Sequence, residues 1–262
     1  ALAAQGMTPS FEFLSRTAGF DIGESMIEYV RSDTYGRALL VGIINTVYVS
    51  IIGIFFATIL GVLLGVARLS KNFLVAKLAS IYLEILRNIP LLVLLVFWYG
   101  AVFITLPRVK EAITFGENIY LSNRGMAVPW GIPSDSWSSF LIILAVGLVV
   151  ALIVGWQLKR YGEKTGRPPL TFFWSMLTFL VIGFVGWFVL PQAPLTPDYP
   201  ELKGLNFTGG YVFSPEFMAL LSGLVIYTAA FVGEIVRAGI MSVSKGQTEA
   251  AYAVGLPPNR TM

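Results

Sequence analysis

A chain of 262 residues that is 56% hydrophobic and 13% charged, with a mean hydropathy of +0.74, does not have the composition of a water-soluble globule. The absence of Cys and His removes thiol chemistry, most zinc and haem sites and the commonest general base. The net charge of +3 matters less than its distribution, because Lys and Arg in short loops orient membrane chains.

In chain order, residues 1–37 contain no apolar h-region, so no signal peptide is expected. Five apolar runs follow, from about Ala38 to Ala67, about Ile81 to Leu106, roughly Phe140–Leu158, Leu170–Leu190 and about Phe217 to Met241. Each approaches or exceeds the roughly 20 residues that cross about 30 Å of hydrocarbon. The expected fold class is therefore all-α, a multi-pass transmembrane helical bundle.

The connecting segments separate by charge. Arg68, Lys71 and Lys77 follow the first run without an acid, and Lys159, Arg160, Lys164 and Arg167 follow the third against Glu163 alone. Residues 1–37 carry three Arg against Glu12, Asp21, Glu24, Glu28 and Asp33, while 191–216 sets Lys203 against Asp198, Glu201 and Glu216. Positive loops stay inside. The two basic loops and the tail after the fifth run are thus expected in the cytoplasm, and the start of the chain outside. An outer start calls either for a further span upstream, the favoured reading, or for a tail that translocates unaided, and the chain stops at Met262 within a loop that should return to the membrane. A fragment lacking both ends is expected. The segments 107–137 and 191–210 are rich in Pro and Gly and read as outer loops.

Several features within the runs carry further expectations. Gly61 and Gly65 form a GxxxG that admits close helix packing. Asn45, Thr46, Ser50 and Thr58 are candidates for bonds across helices or to a polar solute. Pro90 should break the second run, leaving 76–88 as an interfacial helix and 91–106 as the span. Glu84 with Arg87, and Glu234 with Arg237, are spaced i,i+3 and can bridge on one helix face. They read as interfacial ion pairs or as the lining of a translocation path or inner gate. Trp98, Tyr99, Trp137, Trp156, Trp174 and Trp187 fall mainly near run ends, as an aromatic belt does.

After the fifth run comes Lys245-Gly-Gln-Thr-Glu-Ala-Ala-Tyr-Ala-Val-Gly255. Thr248 can cap a helix, Ala250, Ala251 and Ala253 favour one, Gly255 suits a left-handed end, and Pro257 and Pro258 forbid continuation. A helix of about two turns is unstable alone in water and needs a partner surface. Ala250 and Val254, i,i+4 apart, leave a small-residue ridge for a cleft of another protein. No G-x-x-x-x-G-K-[ST] occurs, so the chain has no P-loop, and without His no Ser-His-Asp set or H-E-x-x-H is possible. No catalytic residue and no metal site is expected, and the energy for any active transport should come from a separate chain.

The ordered set Val41-Gly-Ile-Ile-Asn-Thr46, Ala67-Arg-Leu-Ser70, Arg87-Asn-Ile-Pro-Leu-Leu-Val93, Tyr227-Thr-Ala-Ala-Phe-Val-Gly-Glu-Ile-Val-Arg237 and Gly246-Gln-Thr-Glu-Ala-Ala251 resembles the ABC permeases of the histidine/glutamine permease group. The last of these is similar to their EAA loop. The expanded middle and the Phe13-Leu-Ser-Arg-Thr-Ala-Gly-Phe-Asp21 opening look like the Q-type subunit of the general L-amino-acid uptake system. The resemblance implies a type I ABC importer permease fold and a transport subunit, not an enzyme, in the bacterial inner membrane. It implies a second permease subunit, a periplasmic amino-acid-binding protein, an L-amino acid as substrate, and no nucleic acid. ABC ATPase subunits would carry ATP and Mg, with no cofactor in this chain. Gly246, Gln247, Glu249, Ala250, Ala251 and Gly255 would make the ATPase-coupling contact. The domain layout that follows is an outer segment 1–37, two core helices in 38–106, an insertion with two extra spans in 107–211, a core helix in 212–241 and a cytoplasmic coupling loop in 242–262. The rival reading, an ion-coupled secondary transporter of small polar solutes, requires repeat-related broken helices and intramembrane carboxylates. Only the Pro90 break answers that description.

Overall fold

The computed structural model describes residues 11–166 and 170–256, with Lys245 by its backbone alone. Among them are helices α1 (Tyr35–Arg68), α2 (Phe73–Asn88), α3 (Leu91–Phe97), α4 (Trp137–Thr165), α5 (Thr171–Val189), α6 (Pro215–Met241) and α7 (Lys245–Ala253). A π-helical segment, Trp98–Phe103, continues α3. The chain divides into two compact units. The first comprises Ala1–Ile113, Leu121–Met126 and Phe213–Met262, and the second Thr114–Tyr120 and Ala127–Val212.

The first unit is built on the parallel pair α1 and α6. Thr34 caps α1, its hydroxyl accepting the Arg37 N–H at 3.3 Å, and Ser214 caps α6, accepting the Phe217 N–H at 3.1 Å with Pro215 at the first position. Buried small residues recur every fourth position on α1, at Gly53, Ala57, Gly61 and Gly65. A Cβ at Gly61 would come 2.5 Å from Val232 Cβ, and one at Gly65 would come 2.6 Å from the Gly233 carbonyl. The two backbones therefore touch, as the GxxxG pattern allows. Beside them Leu83, Leu86, Leu94 and Ala230 form a buried cluster that joins α2 and α3 to α6.

The second run is two helices. Asn72 caps α2 by accepting from Leu74 N–H at 2.9 Å, and the chain bends by 104° between α2 and the α3–π segment at Ile89-Pro90. The break falls where Pro removes a donor and clashes with a helical predecessor. Leu91–Phe103 alone rises about 20 Å, short of the roughly 30 Å of hydrocarbon.

In the second unit α4 and α5 form an antiparallel hairpin. Its closest approaches are at Gly147, Gly155 and Gly186, where an added Cβ would lie 2.9 Å from Ile182, 2.6 Å from Ser175 and 2.6 Å from Ile143. Phe140 meets Trp187 edge-on at 5.5 Å. α4 runs past its apolar stretch to Thr165, because Lys159, Arg160, Glu163 and Lys164 are good helix formers in water. Arg160 lies over the Trp156 ring at 3.7 Å.

The all-α expectation is corrected here. Segments read as Pro- and Gly-rich loops contain seven short strands, β1 (Ile113–Phe115), β2 (Ile119–Ser122), β3 (Gly125–Val128), β4 (Trp130–Pro133), β5 (Leu195–Asp198), β6 (Glu201–Lys203) and β7 (Asn206–Thr208), and β8 (Tyr211–Phe213) follows just beyond the second. One sheet has the order β1-β2-β3-β8. β4 pairs antiparallel with β5, Trp130 facing Asp198, and β6 with β7. Gly and Pro punctuate these strands instead of abolishing them, with Gly116, Gly204, Gly209 and Gly210 supplying positive φ at the turns.

Among the described residues four helices, α1, α4, α5 and α6, are long and apolar enough to cross a membrane, and the bent pair α2–α3 makes a fifth if counted as one span. Their surfaces agree. Ile43, Ile51, Leu152 and Phe184 are each more than 60% exposed, which only lipid or a partner helix would tolerate. The protein is a mostly helical, multi-pass membrane protein.

Candidate functional site: a shared carboxylate above an exposed helix

Two features lie together in sequence at one end of α6. The first is Glu234. Arg237, one turn on, donates to its Oε1 from Nε at 3.1 Å and from Nη2 at 2.6 Å. Arg68, the last residue of α1, donates to its Oε2, and Arg87, in the last turn of α2, brings Nη1 to 3.9 Å of the same oxygen. One carboxylate thus holds the ends of three helices. Arg68, Glu234 and Arg237 side chains are only 21%, 24% and 27% exposed, and that of Arg87 is 44% exposed. A lone charge at the centre of a span costs about 2.5–3.5 kcal/mol on insertion scales, and pairing offsets much of it. Arg68 and Arg87 also complement the negative carbonyl ends of α1 and α2.

Of the two expected i,i+3 pairs, only Glu234–Arg237 forms. Among the described residues no ion pair joins Glu84 to Arg87, and Glu84 is exposed. Arg87 turns to Glu234 instead, because the half-buried carboxylate of another helix attracts it more strongly than a solvated one. Arg68 has no counterpart in the local spacing. Its partner lies 166 residues away, and only the packing of α1 on α6 brings them together.

The second feature is α7, separated from the end of α6 by three residues. Its N-cap is Ser244 in extended conformation, and Thr248 lies inside the helix, contrary to expectation. The Ser244-Lys-Gly-Gln247 spacing matches a capping box and marks the start in the sequence, but Ser244 makes no side-chain cap hydrogen bond, and the first turn closes through Gln247 N–H to the Ser244 carbonyl at 3.1 Å. The end is a Schellman motif: Gly255 N–H bonds Tyr252 O at 2.9 Å, Leu256 N–H bonds Ala251 O at 3.0 Å, and Gly255 has φ +76°. Gly246, Gln247, Glu249 and Ala250 are exposed and Ala251 half-buried, and Val254, the helix's final cap, is 76% exposed. Nine residues with no buried side chain among those described gain nothing from packing, so such a helix depends on its C-terminal cap and on whatever docks against it. Pro257 and Pro258, like Arg167 of the loop after α4, lie outside the described residues.

Asn45, Thr46 and Thr58 make hydrogen bonds within the chain. Asn45 ties the outer segment to α1, its amide donating to the Glu24 carbonyl at 2.6 Å and accepting Met26 N–H at 3.4 Å. Thr46 and Thr58 bond back to Gly42 and Ile54 carbonyls of their own helix, at 2.7 Å each. Among the described residues no group of three or more His, Cys, Asp or Glu is placed to hold a metal ion.

Similarity to known proteins agrees over nearly the whole chain. The general L-amino acid transport system permease protein AapQ of Rhizobium johnstonii is 44% identical over 259 residues, covering 98% of this chain and 64% of AapQ. The glutamate/glutamine/aspartate/asparagine transport system permease protein BztB of Rhodobacter capsulatus is 38% identical over 294 residues, covering 100% of this chain and 68% of BztB. The chain thus spans about two thirds of the length of these curated relatives. No family model and no solved structure matches it. The putative amino-acid ABC transporter permease protein YhdX of Escherichia coli is 43% identical over 256 residues, covering 97% of this chain and 64% of YhdX, and with such relatives along nearly its full extent the chain belongs to the amino-acid ABC transporter permeases.

Proposed function

We propose that this chain is a permease subunit of an ATP-driven importer of L-amino acids in the bacterial inner membrane, with the type I importer fold. α7 is the coupling element, gripped by a separate ATPase subunit that binds ATP and Mg. Gly246, Gln247, Glu249, Ala250, Ala251 and Gly255 form that contact. A second permease subunit completes the path, and a periplasmic binding protein delivers the amino acid to the outer face. Residues 1–37 and the strand-bearing segments of 107–211 lie outside, and 242–262 lies in the cytoplasm.

The observation that carries this reading is a capped, exposed nine-residue helix joined to an apolar helix by only three residues. So short a link transmits a push on α7 to α6 with little slack. Glu234 lies seven residues above the end of α6, about 10 Å along the axis. Arg68, Arg87, Glu234 and Arg237 therefore act as the inner latch, holding α1 and α2 to α6 until α7 moves. Glu84 flanks the latch and faces the aqueous side.

The test is uptake of a labelled L-amino-acid panel by the complex of permease, ATPase and binding protein in vesicles. Uptake requiring ATP and indifferent to ion gradients supports the proposal. Uptake driven by an ion gradient without ATP overturns it.

A further inference from the structure

The Glu234 cluster is unevenly filled. Three guanidinium groups surround one carboxylate, a balance of two positive charges, and counting the exposed Glu84 beside Arg87 still leaves one in excess. The carbonyl ends of α1 and α2 supply only partial negative charge. Hydrogen bonding is uneven as well. Arg237 grips Oε1 with two donors and reaches Met241 Sδ with a third at 2.9 Å, and Arg68 bonds Oε2. Arg87 approaches Oε2 only to 3.9 Å and makes no side-chain hydrogen bond among the described residues. Its side chain is also the most exposed of the three. An Arg fork held beside two further cations, with its donors unspent and an open side, is an incomplete oxyanion site.

The position of the cluster narrows the ligand. Arg68 closes α1, Arg87 is one residue from the end of α2, and Arg237 is four residues from the end of α6, so each lies where an apolar helix gives way to polar chain. Guanidinium groups at that level reach into the headgroup layer. On the same helix as Arg87, the exposed Leu74, Leu78, Ile81 and Ile85 are spaced four, three and four residues apart and form one apolar stripe. An α2 lying along the inner leaflet would set this stripe against acyl chains.

We infer that Arg87, with Arg68 and Arg237 behind it, binds a phosphate oxyanion, and that its source is the phosphodiester of an anionic phospholipid of the inner leaflet. This inference rests on the membrane placement of α1, α2 and α6 and not on transport, so its failure and a failure of the importer reading are separately visible. The bound phosphate completes the charge balance around Glu234 and pins the end of α2 beside α6.

The test is native mass spectrometry of the full chain released from nanodiscs of phosphatidylglycerol or of phosphatidylcholine. The wild type should retain phosphatidylglycerol and not phosphatidylcholine. Arg87→Gln should lower phosphatidylglycerol occupancy about tenfold, the effect of losing one charge-assisted hydrogen bond. Arg87→Lys should recover only part, since it restores charge without the fork. A parallel arm adds inorganic phosphate to the wild type: no displacement of lipid supports the lipid source, and ready displacement at millimolar phosphate overturns it in favour of a free anion. Equal retention of both lipids by the wild type, or full phosphatidylglycerol retention by Arg87→Gln, overturns the site itself.

Discussion

Replacing Gly65 by Ala should separate α1 from α6 and loosen the latch. The new Cβ would sit 2.6 Å from the Gly233 carbonyl oxygen and 2.9 Å from Val236 Cβ. A backbone oxygen cannot rotate away as a side chain does, so the helices must part by roughly 1 Å to restore ordinary contact distances. Overpacking of this kind costs about 1–3 kcal/mol. Ala also favours a helix over Gly by about 0.8–1.0 kcal/mol, which partly hides the loss. Gly42→Ala in the same helix isolates the clash, because a Cβ at Gly42 has nothing within 4 Å. The helix term cancels between the two variants, so Gly65→Ala should be the less stable by about 1–3 kcal/mol. Each kcal/mol corresponds to about 2–4 °C in a thermal melt of the purified protein. Arg68 lies one turn beyond Gly65, so ATP-driven uptake should fall in Gly65→Ala and hold in Gly42→Ala. Identical melting of the two variants would refute the close-packed α1–α6 seam and the latch built on it.

Other substitutions probe the site itself. Glu234→Gln leaves Arg68, Arg87 and Arg237 without their carboxylate. It should cost about 1–3 kcal/mol, below the figure for a fully buried pair because all four groups keep some exposure; a melt unchanged from wild type would show that the cluster holds nothing together. Gly255→Val forces a β-branched residue into φ +76°, at about 1–3 kcal/mol, and should uncouple ATP hydrolysis from uptake by distorting the end of α7. Normal uptake in vesicles would count against that role. Glu249→Lys should reduce copurification of the ATPase from solubilised membranes while membrane insertion is unchanged, and undiminished recovery would remove Glu249 from the contact.

Much of the helical frame is legible in the sequence because its signals are local. Unbroken apolar runs mark α1, α5 and α6 to within a few residues, Pro90 marks the break after α2, and Gly255 marks the end of α7. What escapes is set at a distance. The strands β1–β8 are three or four residues each, too short for alternation to register, and their pairings join segments such as 130–133 and 195–198 across the α4–α5 hairpin. The cluster around Glu234 escapes for the same reason. Local spacing offers Arg237 correctly and Glu84–Arg87 wrongly, and nothing near Arg68 points to a carboxylate 166 positions on. The misplaced cap at Thr248 differs in kind, because Ser244-Lys-Gly-Gln247 was the better signal in plain view.

The central claim, that α7 is a cytoplasmic handle for an ATPase, is tested most directly by sided labelling at one engineered thiol. The chain contains no Cys, so Glu249→Cys gives a single reactive position. A membrane-impermeant maleimide should modify it in inverted membrane vesicles and not in intact cells, and bound ATPase should protect it. Modification from the outside of intact cells would contradict the account.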